Sequence, residues 1–248
     1  KAPAIRISRN RAWSRGVRSP HADEGPVPKR EDETLLFKDR RDAGRRLATH
    51  IELPRESDAL VLALPRGGVP VGLEVARALR LPLDVMLVRK LGVPGHEELA
   101  MGAIANGAVE VLNYDVIDAL GIPNEDVEAV AARERLEMER RNALYRGDIP
   151  APKLMDRTVI IVDDGIATGA DMRAAVEAAD AQGAAHTIVA APVASRQAVE
   201  ALREVADEVV TVAMPEPFGG VGRHYADFGQ TSDAEVQRLL ADARVPTI

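Results

Sequence analysis

Two adjacent aspartates, Asp163 and Asp164, directly follow an apolar run at residues 159–162. A short run of this kind, without polar alternation, predicts a strand that is buried on both faces, as in a parallel sheet. Two carboxylates at the end of a buried strand lose hydration and repel each other unless they meet a cation or hydroxyl donors. We therefore expect this pair to bind a metal ion or the hydroxyl groups of a diol.

The acidic pair opens a loop that leads into a predicted helix. The rest of the loop consists of Gly165, Ile166, Ala167, Thr168, Gly169, Ala170 and Asp171. The two glycines let the backbone turn tightly and bring its N–H groups close to a ligand. The unpaired N–H groups and the dipole at a helix N-terminus favour a phosphate. A diol or metal site next to an anion site is what a sugar phosphate requires.

Residues 159–171 taken together resemble the phosphoribosyl pyrophosphate (PRPP) motif of type I phosphoribosyltransferases. That motif has four apolar residues, two acidic residues and then a Thr-Gly phosphate loop. The resemblance implies that Asp163 and Asp164 hold the ribose 2′- and 3′-hydroxyls and a Mg²⁺ ion. It also implies that residues 165–171 enclose the 5′-phosphate, with the hydroxyl of Thr168 as a further donor.

A second segment strengthens the resemblance. Residues 64–68 end an apolar run that begins at Ala59, and they are similar to the pyrophosphate loop of the same family. In that loop Arg66, Gly67 and Gly68 would bind the pyrophosphate. The glycines allow backbone N–H groups to approach the oxygens, and an arginine offers a bidentate pair of donors.

A cation and a closing loop complete the set of residues that the resemblance implies. Lys90 matches the position of a basic residue near the pyrophosphate. Residues 91–106 match the flexible loop that closes over the reacting centre and excludes water. The similarity covers about residues 34–230 and looks closest to a loosely characterised bacterial branch of the family. It implies that the catalytic residues are Asp163, Asp164, Arg66 and Lys90.

The candidates for binding the acceptor base lie in the C-terminal part of the chain. Residues 213–230 would form part of a small hood. Phe218 is the candidate for stacking on a base, and Val221 is the candidate for reading the edge of the base through its backbone. A Phe beside prolines is as often a packing residue over a sheet end, so this alternative stays open.

Two positions depart from the family pattern. Family members often have Thr at the position of Asp171, whose carboxylate would repel a phosphate unless the side chain turns away. Hypoxanthine-type members have an acid at the position of Ala167, which cannot act as a general base. In this respect the loop looks more like that of adenine-type members, so a purine-like acceptor is expected by default.

The elements that must position these residues alternate between strands and helices. We predict strands at residues 59–64, 83–88, 158–162, 188–193 and 209–212, and helices at 35–51, 69–79, 124–145, 169–182 and 195–203. Residues 89–100 are expected to form an exposed loop, and residues 101–105 and 109–112 a hairpin. This alternation predicts an α/β fold with a doubly wound, mainly parallel sheet flanked by helices. Ligands of such sheets bind at the carboxyl ends of the strands.

Several other charged positions have simpler interpretations. We expect a solvated helix face that carries Arg40, Arg41, Arg45 and Arg46. There is a small chance that one of these arginines reaches the ligand. The segment His96-Glu97-Glu98 lacks a second ligand set at metal-binding spacing and fits a mobile polar loop. The helix at 124–145, capped by Asn124, is expected to serve packing or dimerisation.

Composition narrows the class of protein. The chain has 248 residues, 46% hydrophobic and 29% charged, which suits one large or two small α/β domains. It has no cysteine, which excludes disulfides, thiolate zinc sites and cysteine nucleophiles. No segment is apolar for long enough to cross a membrane or act as a signal peptide, so we expect a cytoplasmic protein.

The charge is unevenly distributed. Residues 1–30 hold eight basic and two acidic side chains, whereas the whole chain has a net charge of −7. We expect residues 1–32 to be a basic, flexible extension and residues 33–248 to be the phosphoribosyltransferase domain. The acidic body and an aromatic content of 3% argue against nucleic-acid binding.

The sequence thus favours a Mg²⁺-dependent enzyme that moves 5-phosphoribosyl from PRPP to a nitrogenous base and releases pyrophosphate. The alternative is a PRPP-binding regulatory protein of the same fold without catalysis. A homodimer is expected because dimers are common in the family. The motifs of serine hydrolases, P-loop proteins and Rossmann dinucleotide-binding proteins are absent.

Overall fold

A computed structural model describes residues 37–54, 57–105 and 109–244 of the chain. In chain order its elements are α1 (Arg40–Ala48), β1 (Ala59–Ala63), α2 (Gly68–Leu79), β2 (Leu83–Val85), β3 (Val88–Val93), β4 (His96–Ala105), β5 (Val109–Leu112), α3 (Tyr114–Leu120), α4 (Asn124–Arg146), β6 (Thr158–Val162), α5 (Ala170–Ala181), β7 (His186–Val193), α6 (Arg196–Leu202), β8 (Glu208–Ala213), a 3₁₀ turn (Val221–His224) and α7 (Asp233–Arg244). The predicted N-terminal extension lies outside the described residues.

The central sheet has five strands in the order β2-β1-β6-β7-β8, and every neighbouring pair is parallel. Successive residues of β1 point to opposite faces, since Leu60 and Leu62 share one core with α5 and α6. Val61 and Ala63 share the other core with α1, α2 and α7. Burial on both faces explains the unbroken apolar runs, and it confirms the predicted doubly wound parallel sheet.

A second, antiparallel sheet consists of β3, β4 and β5. The predicted pairing of residues 101–105 with 109–112 is confirmed. The prediction of an exposed loop at 89–100 was wrong, because Pro94 and Gly95 form a two-residue turn between two strands. Gly95 has a φ of +76°, which glycine adopts easily. The strand predicted at 83–88 likewise ends at Val85, and β3 begins at Val88.

The helices follow the predictions with four corrections. The first helix is confined to Arg40–Ala48, and α3 and α7 were not predicted. Asn124 is the first residue of α4 rather than its cap, which is Pro123. Helix α4 packs on the antiparallel sheet, where Met138 shares a core with Leu91 and Met101. No helix among the described residues is long and apolar enough to span a membrane.

Candidate functional site

The two predicted ligand loops lie against each other at the carboxyl end of the central sheet. Strands β1 and β6 are parallel neighbours, and the Leu64 N–H donates to the Val162 carbonyl oxygen over 2.8 Å. A Cβ atom on Gly67 would lie 2.1 Å from Asp164 Oδ2, and one on Gly68 would lie 2.6 Å from the Val162 oxygen. Only glycine permits this approach at the two positions, so the structure brings the acidic pair and the glycine loop together.

The carboxylate of Asp164 forms an ion pair with an arginine that was predicted to face solvent. Arg40 Nε donates to Asp164 Oδ2 over 2.7 Å, and the two side chains are only 12% and 13% exposed. The Arg40 guanidinium also donates to the Gly229 carbonyl oxygen over 2.6 Å and lies 4.0 Å from the ring centroid of Phe228. Arg40 is therefore part of the site, and the prediction of a solvated face was wrong for this residue.

The carboxylate of Asp163 faces a cavity of about 340 Å³. Asp163 Oδ1 accepts a hydrogen bond from the Asp164 backbone N–H over 2.8 Å. Burial, followed by the neighbouring Asp164 carboxylate, raises the pKa of Asp163 well above its usual range. Burial also raises the pKa of Asp164, although Arg40 opposes that shift. A cation or hydroxyl donor at Asp163 would relieve the cost of its buried charge.

Basic side chains from two elements line the same cavity. Lys90 and Arg89 come from β3, and Arg141 comes from α4. The structure therefore brings the predicted cation Lys90 to the cavity that Asp163 faces. Asp171, at the start of α5, also lines this cavity and does not turn away from it.

The loop after the acidic pair is buried at Ile166 and exposed at Ala167 and Thr168. Two hydrogen bonds hold its carbonyl groups: the Ser195 N–H donates to the Ile166 oxygen over 2.9 Å, and the Ser195 hydroxyl donates to the Ala167 oxygen over 2.6 Å. Within the described residues, no hydrogen bond occupies the N–H groups of residues 167–169. Gly169 has a φ of +79° and precedes α5, so these N–H groups adjoin a helix N-terminus. This arrangement suits a phosphate.

The remaining pyrophosphate candidates are placed differently. The Arg66 guanidinium lies 3.9 Å from Asp233 Oδ1, which accepts a hydrogen bond from the Tyr145 hydroxyl over 2.5 Å. The Gly68 N–H donates to the Leu64 carbonyl oxygen over 3.0 Å. Gly68 therefore allows the close approach because it has no side chain. Its N–H group is already bonded within its own loop.

The segment predicted as a hood borders the acidic pair. The Tyr225 hydroxyl donates to the Asp164 carbonyl oxygen over 2.5 Å, and a Cβ on Gly165 would lie 2.4 Å from Val221 Cγ1. The Phe218 ring packs at 5.5 Å between centroids against the ring of His224. Neither Phe218 nor Val221 is among the described residues that line the Asp163 cavity.

The donor set fits a hard cation that is shared with a substrate. Carboxylate oxygens are the ligands that Mg²⁺ prefers, and Mg²⁺ is often held by one or two carboxylates together with substrate phosphates. In the part of the chain that the structure describes, no group of three or more His, Cys, Asp or Glu side chains could hold a metal ion. The acidic pair would therefore supply only part of the six-oxygen shell of Mg²⁺, and water or substrate oxygens would supply the rest.

Three of these side chains were not predicted as site residues. Arg40 and Asp164 are separated by 124 positions. Arg141 lies on a helix with no recognisable motif, and Tyr225 lies in the predicted hood but had no predicted role. Their roles depend on where α1, α4 and the C-terminal segment pack. The acidic pair and the glycine loops were found because their pattern is contiguous.

Comparison with known proteins agrees with this geometry. A family model described as a phosphoribosyl transferase domain matches residues 37–226. Two proteins from strains of Mycobacterium tuberculosis, each named "Putative phosphoribosyl transferase", are 45% identical over 205 residues, which is 83% of this chain and 46% of the relative. The chain thus spans about half the length of these curated relatives.

A solved structure gives the same result for the fold. The crystal structure of the protein TT1426 from Thermus thermophilus has a TM-score of 0.75 and 42% sequence identity. The match covers 84% of this chain and 99% of that chain. The arrangement of helices and strands described above is therefore shared with this protein.

Proposed function

The chain belongs to the phosphoribosyltransferase family, and on that premise we propose that it transfers a 5-phosphoribosyl group from PRPP to a nitrogenous base. The observation that carries the proposal is the contact between two loops at the end of the central sheet, where a Cβ on Gly67 would lie 2.1 Å from Asp164 Oδ2. The part-buried carboxylate of Asp163 lines the cavity, and residues 167–169 of the same loop have backbone N–H groups that no hydrogen bond among the described residues occupies. A ribose 5-phosphate offers hydroxyls to the carboxylate and a phosphate to the N–H groups.

In the proposed reaction, the lone pair of an acceptor nitrogen forms a bond to C1 of the ribose. The bond between C1 and the pyrophosphate oxygen breaks, and its electron pair leaves with pyrophosphate. The proton on the acceptor nitrogen is released to solvent water. Ala167 takes no part in this transfer, because its side chain has no titratable group and its carbonyl oxygen accepts a hydrogen bond from the Ser195 hydroxyl. The reaction develops positive charge on the ribose and negative charge on the leaving group, so stabilising the pyrophosphate is the main catalytic task.

Each loop has a separate part in this proposal. Asp163 and Asp164 orient the ribose hydroxyls, with Asp164 fixed by its ion pair to Arg40. Residues 165–171 enclose the 5′-phosphate, and Thr168 adds its hydroxyl. The Asp171 carboxylate, which lines the cavity, would weaken the affinity for that phosphate. The pyrophosphate is bound by Arg66, the loop at Gly67 and Gly68, and Lys90. Arg66 would then exchange Asp233 for a phosphate oxygen.

We also propose that Mg²⁺ is required. When bound, it would neutralise charge on the pyrophosphate oxygens. Asp163 is the carboxylate that fits it best, since the other aspartate of the pair is bonded to Arg40. The protein's own residues would hold the substrate and keep water away from C1 when the cavity closes.

The acceptor is proposed to be purine-like, with Phe218 and Val221 as contacts of the base. The proposal is supported by the position of Val221 beside Gly165, next to the acidic pair. A homodimer and a cytoplasmic location complete the proposal. Light scattering of the purified protein tests the dimer.

The decisive experiment measures PRPP-dependent release of pyrophosphate with a panel of purine and pyrimidine bases and Mg²⁺. The control is the double variant Asp163→Asn/Asp164→Asn, which keeps the size of both side chains but removes their charge. We expect turnover with at least one base in the wild-type protein and a loss of at least about 100-fold in the control. Full activity of the double variant would reject the site. Binding of PRPP without turnover of any base would favour the regulatory alternative.

A further inference from the structure

We propose that Arg141, on helix α4, is an additional pyrophosphate-binding residue. This inference rests on the proposed function, because it assigns a further contact to the leaving group of that reaction. Arg141 lies outside every motif described above, and it reaches the site only because α4 packs over the cavity. Its position, the interaction that orients it and its relation to the pyrophosphate loop support this role.

The position of Arg141 is the first observation. It lines the cavity that Asp163 and Lys90 also line, but from the side of α4 rather than from a strand end. Arg89 lines the cavity too, but it is committed to Glu134 on α4 through two contacts of 2.8 and 2.7 Å. That ion pair joins β3 to α4, so Lys90 and Arg141 are held on neighbouring walls.

The second observation is the orientation of the guanidinium. Arg141 Nε donates to Glu137 Oε1 over 2.8 Å. Among the described residues, the Arg141 guanidinium makes no other hydrogen bond. Glu137 is itself held by Arg140 through contacts of 2.8 and 3.0 Å. Hydrogen bonds from Arg140 and Arg141 lower the pKa of Glu137 to about 2, so its carboxylate stays charged. The two terminal nitrogens of Arg141 are the donors that suit phosphate oxygens.

The third observation links Arg141 to the pyrophosphate loop. Tyr145 follows Arg141 by four residues on α4, so the two side chains lie on the same face of the helix. The Tyr145 hydroxyl donates to Asp233 Oδ1 over 2.5 Å, and the Arg66 guanidinium lies 3.9 Å from the same oxygen. The helix face that carries Arg141 is therefore joined to the pyrophosphate loop through Asp233.

The test compares Arg141→Gln with Arg140→Gln. The two arginines are consecutive, and both bind Glu137, but only Arg141 lines the cavity. Calorimetry measures the affinity for pyrophosphate with Mg²⁺ and, separately, for ribose 5-phosphate. Loss of one charge-assisted hydrogen bond predicts a decrease in pyrophosphate affinity of about 10- to 100-fold for Arg141→Gln. Arg140→Gln is expected to stay within about twofold, and ribose 5-phosphate affinity is expected to be unchanged in both variants.

Further measurements separate the outcomes. Arg141→Lys should recover part of the pyrophosphate affinity, and the melting temperatures should show that all the variants are folded. Pyrophosphate affinity in folded Arg141→Gln within about twofold of wild type would overturn the inference and leave the proposed function intact. Equal losses in Arg140→Gln and Arg141→Gln would also overturn it, because they would indicate an effect on Glu137. A wild-type protein that binds neither PRPP nor pyrophosphate would overturn the proposed function, and the inference with it.

Discussion

The substitution Gly67→Ala tests whether the contact between the two loops controls activity. Gly67 has φ −62° and ψ −34°, which alanine adopts without strain, so the cost in the folded state comes from the space that the methyl group fills. The added Cβ would lie 2.1 Å from Asp164 Oδ2 and 2.6 Å from Asp164 Cγ. The carboxylate of Asp164 must therefore move.

The size of the effect follows from these distances. Cβ contacts below 3.0 Å essentially do not occur, so the Asp164 oxygen must move by about 0.9 Å, the difference between 3.0 and 2.1 Å. This shift would disturb the 2.7 Å ion pair with Arg40. Overpacking of this kind costs about 1–3 kcal/mol, which lowers the melting temperature by roughly 2–12 °C in a chain of this size. A displacement of about 1 Å at a reacting site reduces kcat/KM by roughly 100-fold.

Steady-state pyrophosphate release and thermal unfolding measure the two effects. Gly229→Ala is the control, since the nearest atom to its added Cβ is at 3.4 Å and its carbonyl still accepts from Arg40. In an Asp164→Ala background, Gly67→Ala should lower the melting temperature less, because the clashing carboxylate is gone. If Gly67→Ala keeps wild-type activity and stability, the loops do not interact as described and the reasoning is refuted.

Three further substitutions test the structure. Arg146→Met should lower the free energy of unfolding in urea by about 3–5 kcal/mol. The Arg146 guanidinium is fully buried and donates to Asp84 over 2.9 Å, so its removal leaves the Asp84 carboxylate without its ion-pair partner. Burial raises the pKa of Asp180 from 3.8 to about 6, so the wild-type protein loses stability as the pH rises through that interval. The Asp180→Asn variant should lose less stability over the same interval. Melting temperatures measured from pH 4 to pH 7 check this difference. Gly165→Ala should lower the melting temperature, because the added Cβ would lie 2.4 Å from Val221 Cγ1. Val221→Ala should restore part of that loss, since Val193 Cγ1 would still lie 3.0 Å from the added Cβ.

Each of these predictions has its own control or contrary result. Arg140→Met changes an exposed arginine on the same helix as Arg146 and should cost under about 0.5 kcal/mol. An Arg146→Met cost below about 1 kcal/mol would contradict the buried ion pair. Parallel pH profiles for Asp180→Asn and wild type would show that this carboxyl titrates normally. If Val221→Ala does not raise the melting temperature of Gly165→Ala, residues 165 and 221 do not lie in contact as described.

The strands and binding loops were predictable because their signals are local. The apolar runs at β1 and β6 have no polar alternation, and a parallel sheet covered on both faces is the fold that buries every side chain in them. Asp163 and Asp164 follow one run directly, and Gly67 and Gly68 follow the other closely. Hydropathy, residue type and spacing along a few positions were sufficient for these features.

The β3–β4 hairpin was missed because local signals pointed to two structures at once. Gly92, Pro94 and Gly95 are typical of loops, yet Leu91 and Val93 are buried in the core under α4. The burial of these two side chains is a tertiary contact, and it outweighs the loop preference of the residues around them. The same packing brings Lys90 to the wall of the cavity.

By itself, the amino-acid sequence determined the family, the parallel α/β sheet and the acidic pair with the glycine-containing loop that follows it, since each depends on residues that are contiguous in the chain. Only the tertiary structure decided that Arg40 neutralises Asp164 across 124 positions, and that Arg141 reaches the cavity from α4. The physical reason is that a charged side chain on a helix has the same local pattern whether it faces water or a buried partner. Its role is set by the surface against which the helix packs.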